Sequence, residues 1–233
     1  MKILEEQITL LIPAKYEKES LPVVLDSLKQ YRFKKLVVLE KFDIETLKSI
    51  KKFNCKVTFQ KKPGYGAALK HGINIASSKY ICIFNADGSF RHKEISKMMS
   101  KFNKNNNLDF VFASRYYKNG SSDDDTFLTY IGNKFFSYCA KFCFKIKLSD
   151  ILYTFVLGKR ILFKDCNLKN DGFSICAELP LKVHYNKFLY LQVPSREKKR
   201  IAGTKKVNEF KDGLFILCYL IKYYIKNFLI KNS

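Results

Sequence analysis

Short runs of uniformly apolar residues alternate with helix-spaced runs through the first half of the chain, and this alternation limits the fold more than any other feature. Ile8-Thr9-Leu10-Leu11-Ile12, Lys35–Leu39, Lys56–Gln60, Tyr80–Phe84 and Phe110–Ala113 have strand length. Between them, Ser20–Tyr31, Phe42–Phe53, Ala67–Ala76 and Lys93–Phe102 read as helices, as in the spacing of Leu21, Val24, Leu25 and Leu28. Ser20 is placed as the N-cap of the first helix, with Pro22 in its first turn. Strands without a polar face, joined by helices, predict an α/β fold with a mostly parallel central sheet and helices on both faces. Such sheets bind ligands beyond the carboxyl ends of their strands. The polar residues after strands one, four and five (Lys15 to Glu17, Asn85 to Gly88, Ser114-Arg115) are therefore expected to share one crevice.

The second half reads differently. Gly120–Asp125 is a loop, expected to be mobile. Phe127–Ile146 and Phe173–Tyr185 are helical, the latter with Pro180 inside it. Phe188–Val193 is a strand, Arg196–Lys206 a basic loop, and Val207–Lys231 a final helix. No repeat or long linker is visible. One body over 1–206, followed by a C-terminal amphipathic helix within 207–233, is expected. A chain of 233 residues can bury a full core without disulfides or a structural metal. At 47% hydrophobic and 27% charged, it is not disordered throughout. No run of about 18 uncharged apolar residues suggests a bilayer span, and the first twenty residues read as a strand rather than a signal peptide. The seven cysteines form no CxxC pair. They read as reduced thiols in a cytosolic protein, with Cys139 and Cys143 packed in the core rather than on a metal.

Lys+Arg total 43 against 21 Asp+Glu, a formal charge of +22, which attracts polyanions. Lysine is used throughout, so only clustered charge discriminates. Arg196, Lys198, Lys199, Arg200, Lys205 and Lys206 put six bases in eleven residues, opposed in sequence only by Glu197. In the last helix Leu214, Leu217, Cys218, Ile221, Ile225, Phe228 and Leu229 recur at helical spacing, with Lys211, Lys222 and Lys226 on another face. A basic amphipathic helix of this kind suits an anionic membrane surface. Packing on the sheet, or docking on a partner subunit, is the alternative.

Asn85-Ala86-Asp87-Gly88-Ser89 follows an apolar strand directly, so Asp87 stands at a strand tip. One or two carboxylates there can hold Mg2+ or Mn2+ together with substrate phosphates; an ordinary Asx turn is the alternative. Lys62-Pro63-Gly64-Tyr65-Gly66-Ala67-Ala68 is glycine-rich and opens a helix, which permits close backbone approach and favours anions at the helix start.

These segments, with Ile12-Pro13-Ala14-Lys15-Tyr16-Glu17, Ala113-Ser114-Arg115 and Arg200-Ile201-Ala202-Gly203-Thr204-Lys205-Lys206, stand in the order found in a known family. The chain resembles family-two glycosyltransferases over about residues 7–210. The branch is the one containing dolichol-phosphate mannose synthase and bacterial polyprenyl-phosphate glycosyltransferases. The resemblance implies a GT-A nucleotide-sugar-binding fold. It implies transfer of a sugar, with inversion, from a nucleotide-diphosphate donor to a polyprenyl phosphate, aided by Mg2+ or Mn2+. It assigns the nucleotide to Pro13, Ala14, Tyr16, Glu17, Glu40, Gly66, Asn85 and Ala86. The metal falls to Asp87, the chemistry to Asp87, Arg115 and Asp150, and the acceptor phosphate to Arg200 and Lys206. The enzyme would be peripheral on the cytoplasmic face of a membrane, alone or with an anchoring subunit. The chain departs from the family pattern in carrying Leu39-Glu40-Lys41 after strand two, Asn85 for the first aspartate of the metal motif, and Tyr153-Thr154 after Asp150.

A phosphate acceptor is already ionised and needs no strong base. A glycan hydroxyl acceptor would need one, for which Asp150 or Glu178 are the candidates. A non-catalytic or nucleic-acid-binding protein is a further alternative, although no nucleic-acid motif is present and nucleic acid is not the expected partner.

Overall fold

The uniformly apolar runs form the sheet because both of its faces are covered. The structure is a computed structural model that describes residues 2–231, with side chains to residue 227. In chain order the elements are β1 (Ile8–Ala14), α1 (Ser20–Ser27), β2 (Lys34–Leu39), α2 (Ile44–Ser49), β3 (Lys56–Phe59), α3 (Tyr65–Ile75), β4 (Tyr80–Ile83), α4 (Lys93–Lys104) and β5 (Phe110–Ser114). The second half continues with β6 (Ser121–Ser122), α5 (Phe127–Phe144), β7 (Val156–Lys159), α6 (Arg160–Asp165), α7 (Ile175–Tyr185), β8 (Tyr190–Pro194), β9 (Arg196–Glu197) and α8 (Glu209–Lys231).

Seven strands form one sheet in the order β3-β2-β1-β4-β7-β5-β8, and β6 pairs with β9 separately. All neighbours in the large sheet are parallel except β7, which runs antiparallel to both β4 and β5. Alternate residues of each strand feed two cores. Leu10, Ile12, Val37, Cys82 and Val111 meet α1 and α4 through Leu25, Ile95 and Met98. Leu11, Val38, Ile81, Ile83 and Phe112 meet α3, α5, α7 and α8 through Leu69, Phe144, Leu179 and Leu220.

The antiparallel β7 is absent from the sequence reading. It is four residues long, contains Gly158, and passes directly into α6. It matters for the site, because an antiparallel strand enters the sheet at the edge where the parallel strands leave. Ser20 is also corrected: α1 begins at Ser20, its N-cap is Glu19, and the Ser20 hydroxyl donates to Glu17 Oε2 at 2.5 Å. Pro180 sits inside α7, as read. Cys82, Cys166 and Cys176 are buried, whereas Cys143 is exposed, so the expected core packing of Cys139 with Cys143 fails at the second residue.

Among the described residues no helix is long and apolar enough to cross a membrane. The last helix is apolar on two sides. Ile216 and Leu220 pack into the core, while Leu214, Ile221 and Ile225 of the line read from the sequence stay exposed. The side chains of Phe228 and Leu229 lie outside the described residues.

Candidate functional site

Beyond the strand tips lies a cavity of about 420 Å³. The carboxyl ends of β1, β2, β4 and β5 open onto it. β8 is parallel to β5, so the segment after β8 emerges on the same edge. That topology brings the basic segment 196–206 over Asp87. Two backbone bonds stitch it there: Lys198 N donates to Ser89 O at 2.9 Å and Ile201 N donates to Asp87 O at 2.8 Å. Gly88 beneath the strap has φ +80°, and a Cβ on it would stand 2.3 Å from Ile201 Cδ1. Gly88→Ala is therefore expected to cost about 1–2 kcal/mol in backbone strain alone. Chemical denaturation of this variant and of the Gly88→Ala/Ile201→Ala pair, which removes the clash but not the strain, checks this.

Of the residues assigned from sequence, Pro13, Ala14, Glu17, Glu40, Asn85, Ala86, Asp87, Arg115, Arg200 and Lys206 line this one cavity. Three do not. Tyr16 has φ +54° and points outward, 60% exposed, with its backbone N–H held by Asp43 Oδ2 at 2.6 Å. Gly66 faces the chain itself, since a Cβ there would meet Asn170 O at 2.4 Å. Asp150 lies buried below the floor. The close approach that the glycine-rich turn permits is thus made to protein, while Gly64 and Tyr65 also line the cavity. A Cβ on Gly64 (φ +115°) would stand 2.3 Å from Asp171 O, and that same carbonyl accepts from Ala67 N at 3.0 Å. Glu178 fixes the opposing loop by accepting from the backbone N–H groups of Lys169 and Asn170, both at 2.8 Å. The hydroxyl-acceptor reading named Asp150 and Glu178 as bases, and both carboxylates are committed elsewhere.

Arg115 forms the floor. Its Nε donates to Asp150 Oδ2 at 2.8 Å and its Nη2 to Asp150 Oδ1 at 3.1 Å. Its Nη1 donates to Asp125 Oδ1 at 3.4 Å and to Glu197 Oε2 at 3.3 Å. Tyr153 and Tyr116 lie 4.8 and 5.1 Å from the guanidinium. Burial works against its charge, but the adjacent Asp150 and Glu197 hold it well above the usual arginine range. Four of its five N–H groups are thus spent on protein carboxylates. Arg115, which the resemblance assigns to the chemistry, thus stands at the cavity with its guanidinium held by protein carboxylates, and it organises the floor.

The sequence reading missed the carboxylates that meet the strap. Asp123 pairs with Arg196 (3.2 Å), Asp124 with Arg200 (2.6 Å) and Asp125 with Arg115 (3.4 Å). The loop read as mobile is held by these pairs, by β6–β9 pairing, and by Tyr116 Oη donating to Asp125 Oδ2 at 2.6 Å. Three consecutive aspartates in so basic a chain were the available signal. Six carboxylates (Glu17, Glu40, Asp87, Asp124, Asp125, Glu197) and five cations (Lys15, Arg115, Arg200, Lys205, Lys206) line the cavity. It is thus formally negative inside a chain of charge +22. Lys15 pairs with Glu40 (3.0 Å) and Lys205 with Glu209 (3.0 Å). Among the described residues, Lys206 is the cavity cation without an ion pair.

Asp87 Oδ1 accepts from Ser89 N at 2.9 Å, the Asx turn considered from sequence. Its charge reaches Glu17 and Arg200 across the cavity. Burial, with Asp87 adding to it, pushes the Glu17 carboxyl up. Among the described residues no three His, Cys, Asp or Glu side chains converge as a metal cage. Asp87 with Glu17 nearby still fits Mg2+ or Mn2+, which take one or two carboxylates and leave the remaining positions to phosphate and water. His92 is not part of this set; its ring packs 5.3 Å from Tyr31.

The described fold is similar to that of glucosyl-3-phosphoglycerate synthase from Mycobacterium tuberculosis in complex with uridine diphosphate. The TM-score is 0.73 at 14% identity, covering 93% of this chain and 79% of that one. The same synthase with Mn2+ and UDP-glucose matches with a TM-score of 0.66 at 14% identity, covering 93% and 78%. Mannosyl-3-phosphoglycerate synthase from Rubrobacter xylanophilus matches with a TM-score of 0.70 at 13% identity, covering 94% and 74%. At these identities the likeness shows the GT-A fold. An uncharacterized glycosyltransferase of Mycobacterium tuberculosis is 27% identical over 103 residues, 44% of this chain and 47% of that protein. A counterpart in Mycobacterium bovis matches with the same identity and coverage. The chain thus spans about half the length of the curated relatives it matches. Residues 9–166 match the profile described as Glycosyl transferase family 2. That span runs from β1 through the Asp87 turn and the Arg115 floor to the end of α6, and on it the chain belongs to Glycosyl transferase family 2.

Proposed function

We propose that the protein transfers a hexosyl group from a nucleotide-diphosphate sugar to a polyprenyl phosphate, with inversion, at the cytoplasmic face of a membrane. The observation that carries this reading is the meeting of Asp87, Arg200 and Lys206 in one cavity. In the reaction an oxygen of the acceptor phosphate attacks the anomeric carbon. The bond from that carbon to the nucleotide diphosphate breaks, and the diphosphate leaves with the electron pair. Mg2+ or Mn2+ on Asp87 would neutralise the departing charge. Pro13, Ala14, Glu17, Glu40, Asn85 and Ala86 hold the donor side, while Arg200 and Lys206 hold the acceptor phosphate. Arg115, locked by Asp150, keeps the floor rigid. No general base is required, which agrees with the commitment of Asp150 and Glu178 elsewhere.

Two features support a lipid-borne acceptor. Thr129 and Asn133 of α5, and Val207 and Ile216 in and before α8, wall the cavity. The outer sides of those helices leave Leu128, Ile131, Phe135, Tyr138 and Phe142, and Leu214, Ile221 and Ile225, exposed. Lys134, Lys141, Lys145, Lys222 and Lys226 stand exposed among them. A lysine-flanked apolar ridge beside the cavity suits an anionic bilayer surface, or an anchoring subunit within one. A second reading follows from a structure of similar fold, glucosyl-3-phosphoglycerate synthase from Mycobacterium tuberculosis in complex with phosphoglyceric acid: a small phosphorylated acceptor.

Transfer assays with UDP- and GDP-hexoses, Mn2+, and either farnesyl phosphate or 3-phosphoglycerate separate the two. Product from farnesyl phosphate alone is expected, with the anomeric configuration inverted; product from 3-phosphoglycerate alone sinks the lipid reading. Lys206→Ala is expected to raise the acceptor KM about tenfold and leave the donor KM unchanged, as for loss of one charged hydrogen bond. A change in the donor KM alone removes Lys206 from the acceptor site.

A further inference from the structure

Arg200 already holds an anion. Its Nη2 donates to Asp124 Oδ2 at 2.6 Å, and its Nε to Asp124 Oδ1 at 3.4 Å. This fork is the geometry by which a guanidinium also grips phosphate. Both side chains are about four-fifths buried, and both line the cavity. The neighbours of Asp124 are anchored elsewhere. Asp123 N donates to Glu197 O at 2.9 Å, Asp125 accepts from Tyr116, and Asp124 N itself donates to Ser122 Oγ at 3.2 Å. The hydrogen bonds of the Asp124 carboxylate run to Arg200. A side-chain rotation of Asp124 therefore frees Arg200 without undoing the loop.

We propose that Asp124 is a specificity-determining residue. Its carboxylate occupies the acceptor-phosphate position on Arg200, so that the site admits a phosphate monoester dianion and rejects phosphodiesters and carboxylates. The inference rests on the transfer reading above. An entering monoanion only replaces one single charge by another on Arg200 and leaves Asp124 without its partner. A dianion gains the second charge against Arg200 and the unpaired Lys206. Acceptor binding should accordingly weaken below about pH 6, where a phosphate monoester dianion takes up a proton and becomes a monoanion.

The test is calorimetric binding to the full chain, with Mn2+ and UDP or GDP present. The probes are farnesyl phosphate, its monomethyl diester and glycerol 3-phosphate. Asp124→Asn keeps the shape and removes the charge. It is expected to bind farnesyl phosphate about tenfold tighter and the diester tighter still, which narrows the monoester-to-diester preference. Asp123→Asn, which frees only the rim residue Arg196, should leave both affinities as they were. Melting temperatures identify a misfolded variant, and Asp124→Ser then serves in its place. An unchanged preference, or no gain for any phosphate probe, overturns the role of Asp124. If farnesyl phosphate binds neither protein while glycerol 3-phosphate still gains on substitution, the lipid acceptor fails and the role of Asp124 stands.

Discussion

Asp87→Asn is expected to lower kcat by about a hundredfold to a thousandfold, the loss found when one group facing developing charge is removed. The amide preserves side-chain volume and can still accept the Ser89 N–H that forms the turn. It cannot neutralise a divalent ion. The expected result has a thermal signature independent of turnover: Mn2+ with a nucleoside diphosphate raises the melting point of the parent protein and not of the variant. The unliganded variant should be as stable as the parent or slightly more so at pH 7. The sign follows from Glu17. Burial raises its carboxyl above the ordinary range, with the Asp87 charge adding to the shift. A carboxyl with a raised folded pKa binds its proton more tightly in the folded state, so its contribution to stability declines as pH rises through that range. Removing the Asp87 charge lessens the decline. A variant that turns over normally, or still gains stability from Mn2+ and nucleotide, excludes Asp87 as the metal-bearing residue.

How much of this was legible in the sequence depends on how far apart the interacting residues stand. Strands β1, β4 and β5 were readable because burial on both faces leaves them no polar side, every residue of each being buried. The Asp87 turn was readable because strand and turn are contiguous. β7 was hidden: it is short and holds a glycine, and Gly158 is there because a Cβ would stand 2.3 Å from Phe110 Cδ1 on the neighbouring strand. Nothing local announces that contact. The aspartate run failed for the same reason. Its partners Arg196 and Arg200 lie 73 and 76 residues away, and a run of acids without visible partners resembles a solvated loop. The basic segment was overread in the mirror sense, since its charges were counted without the carboxylates that meet them. The close approach read into the glycine-rich turn is real, but its partner, the 170–172 loop, lies about a hundred residues away in the chain and was not legible.

Arg115→Ala should be the most destabilising single change in the site, at about 3–5 kcal/mol near neutral pH. Removing this cation leaves Asp150, Asp125 and Glu197 without their shared partner at the cavity floor. The cost is the uncompensated charge more than the lost attraction, so it must depend on pH. In the parent protein burial already raises Glu197, with Arg115 opposing that shift. In the variant the opposing charge is gone, so Glu197 should take up its proton at still higher pH when folded than when unfolded. The deficit relative to the parent should therefore shrink as pH falls from 7 to 5 and widen as it rises again. Urea denaturation at the two pH values reads this directly. A deficit independent of pH would mean that Arg115 acts through its packing between Tyr116 and Tyr153 and not through charge. Asp150→Asn separates the two further. It keeps the packing and one acceptor for Arg115, so a loss well below that of Arg115→Ala is expected. A loss as large as that of Arg115→Ala would show that the paired charge of Asp150, more than the relief of acid–acid repulsion, secures the floor.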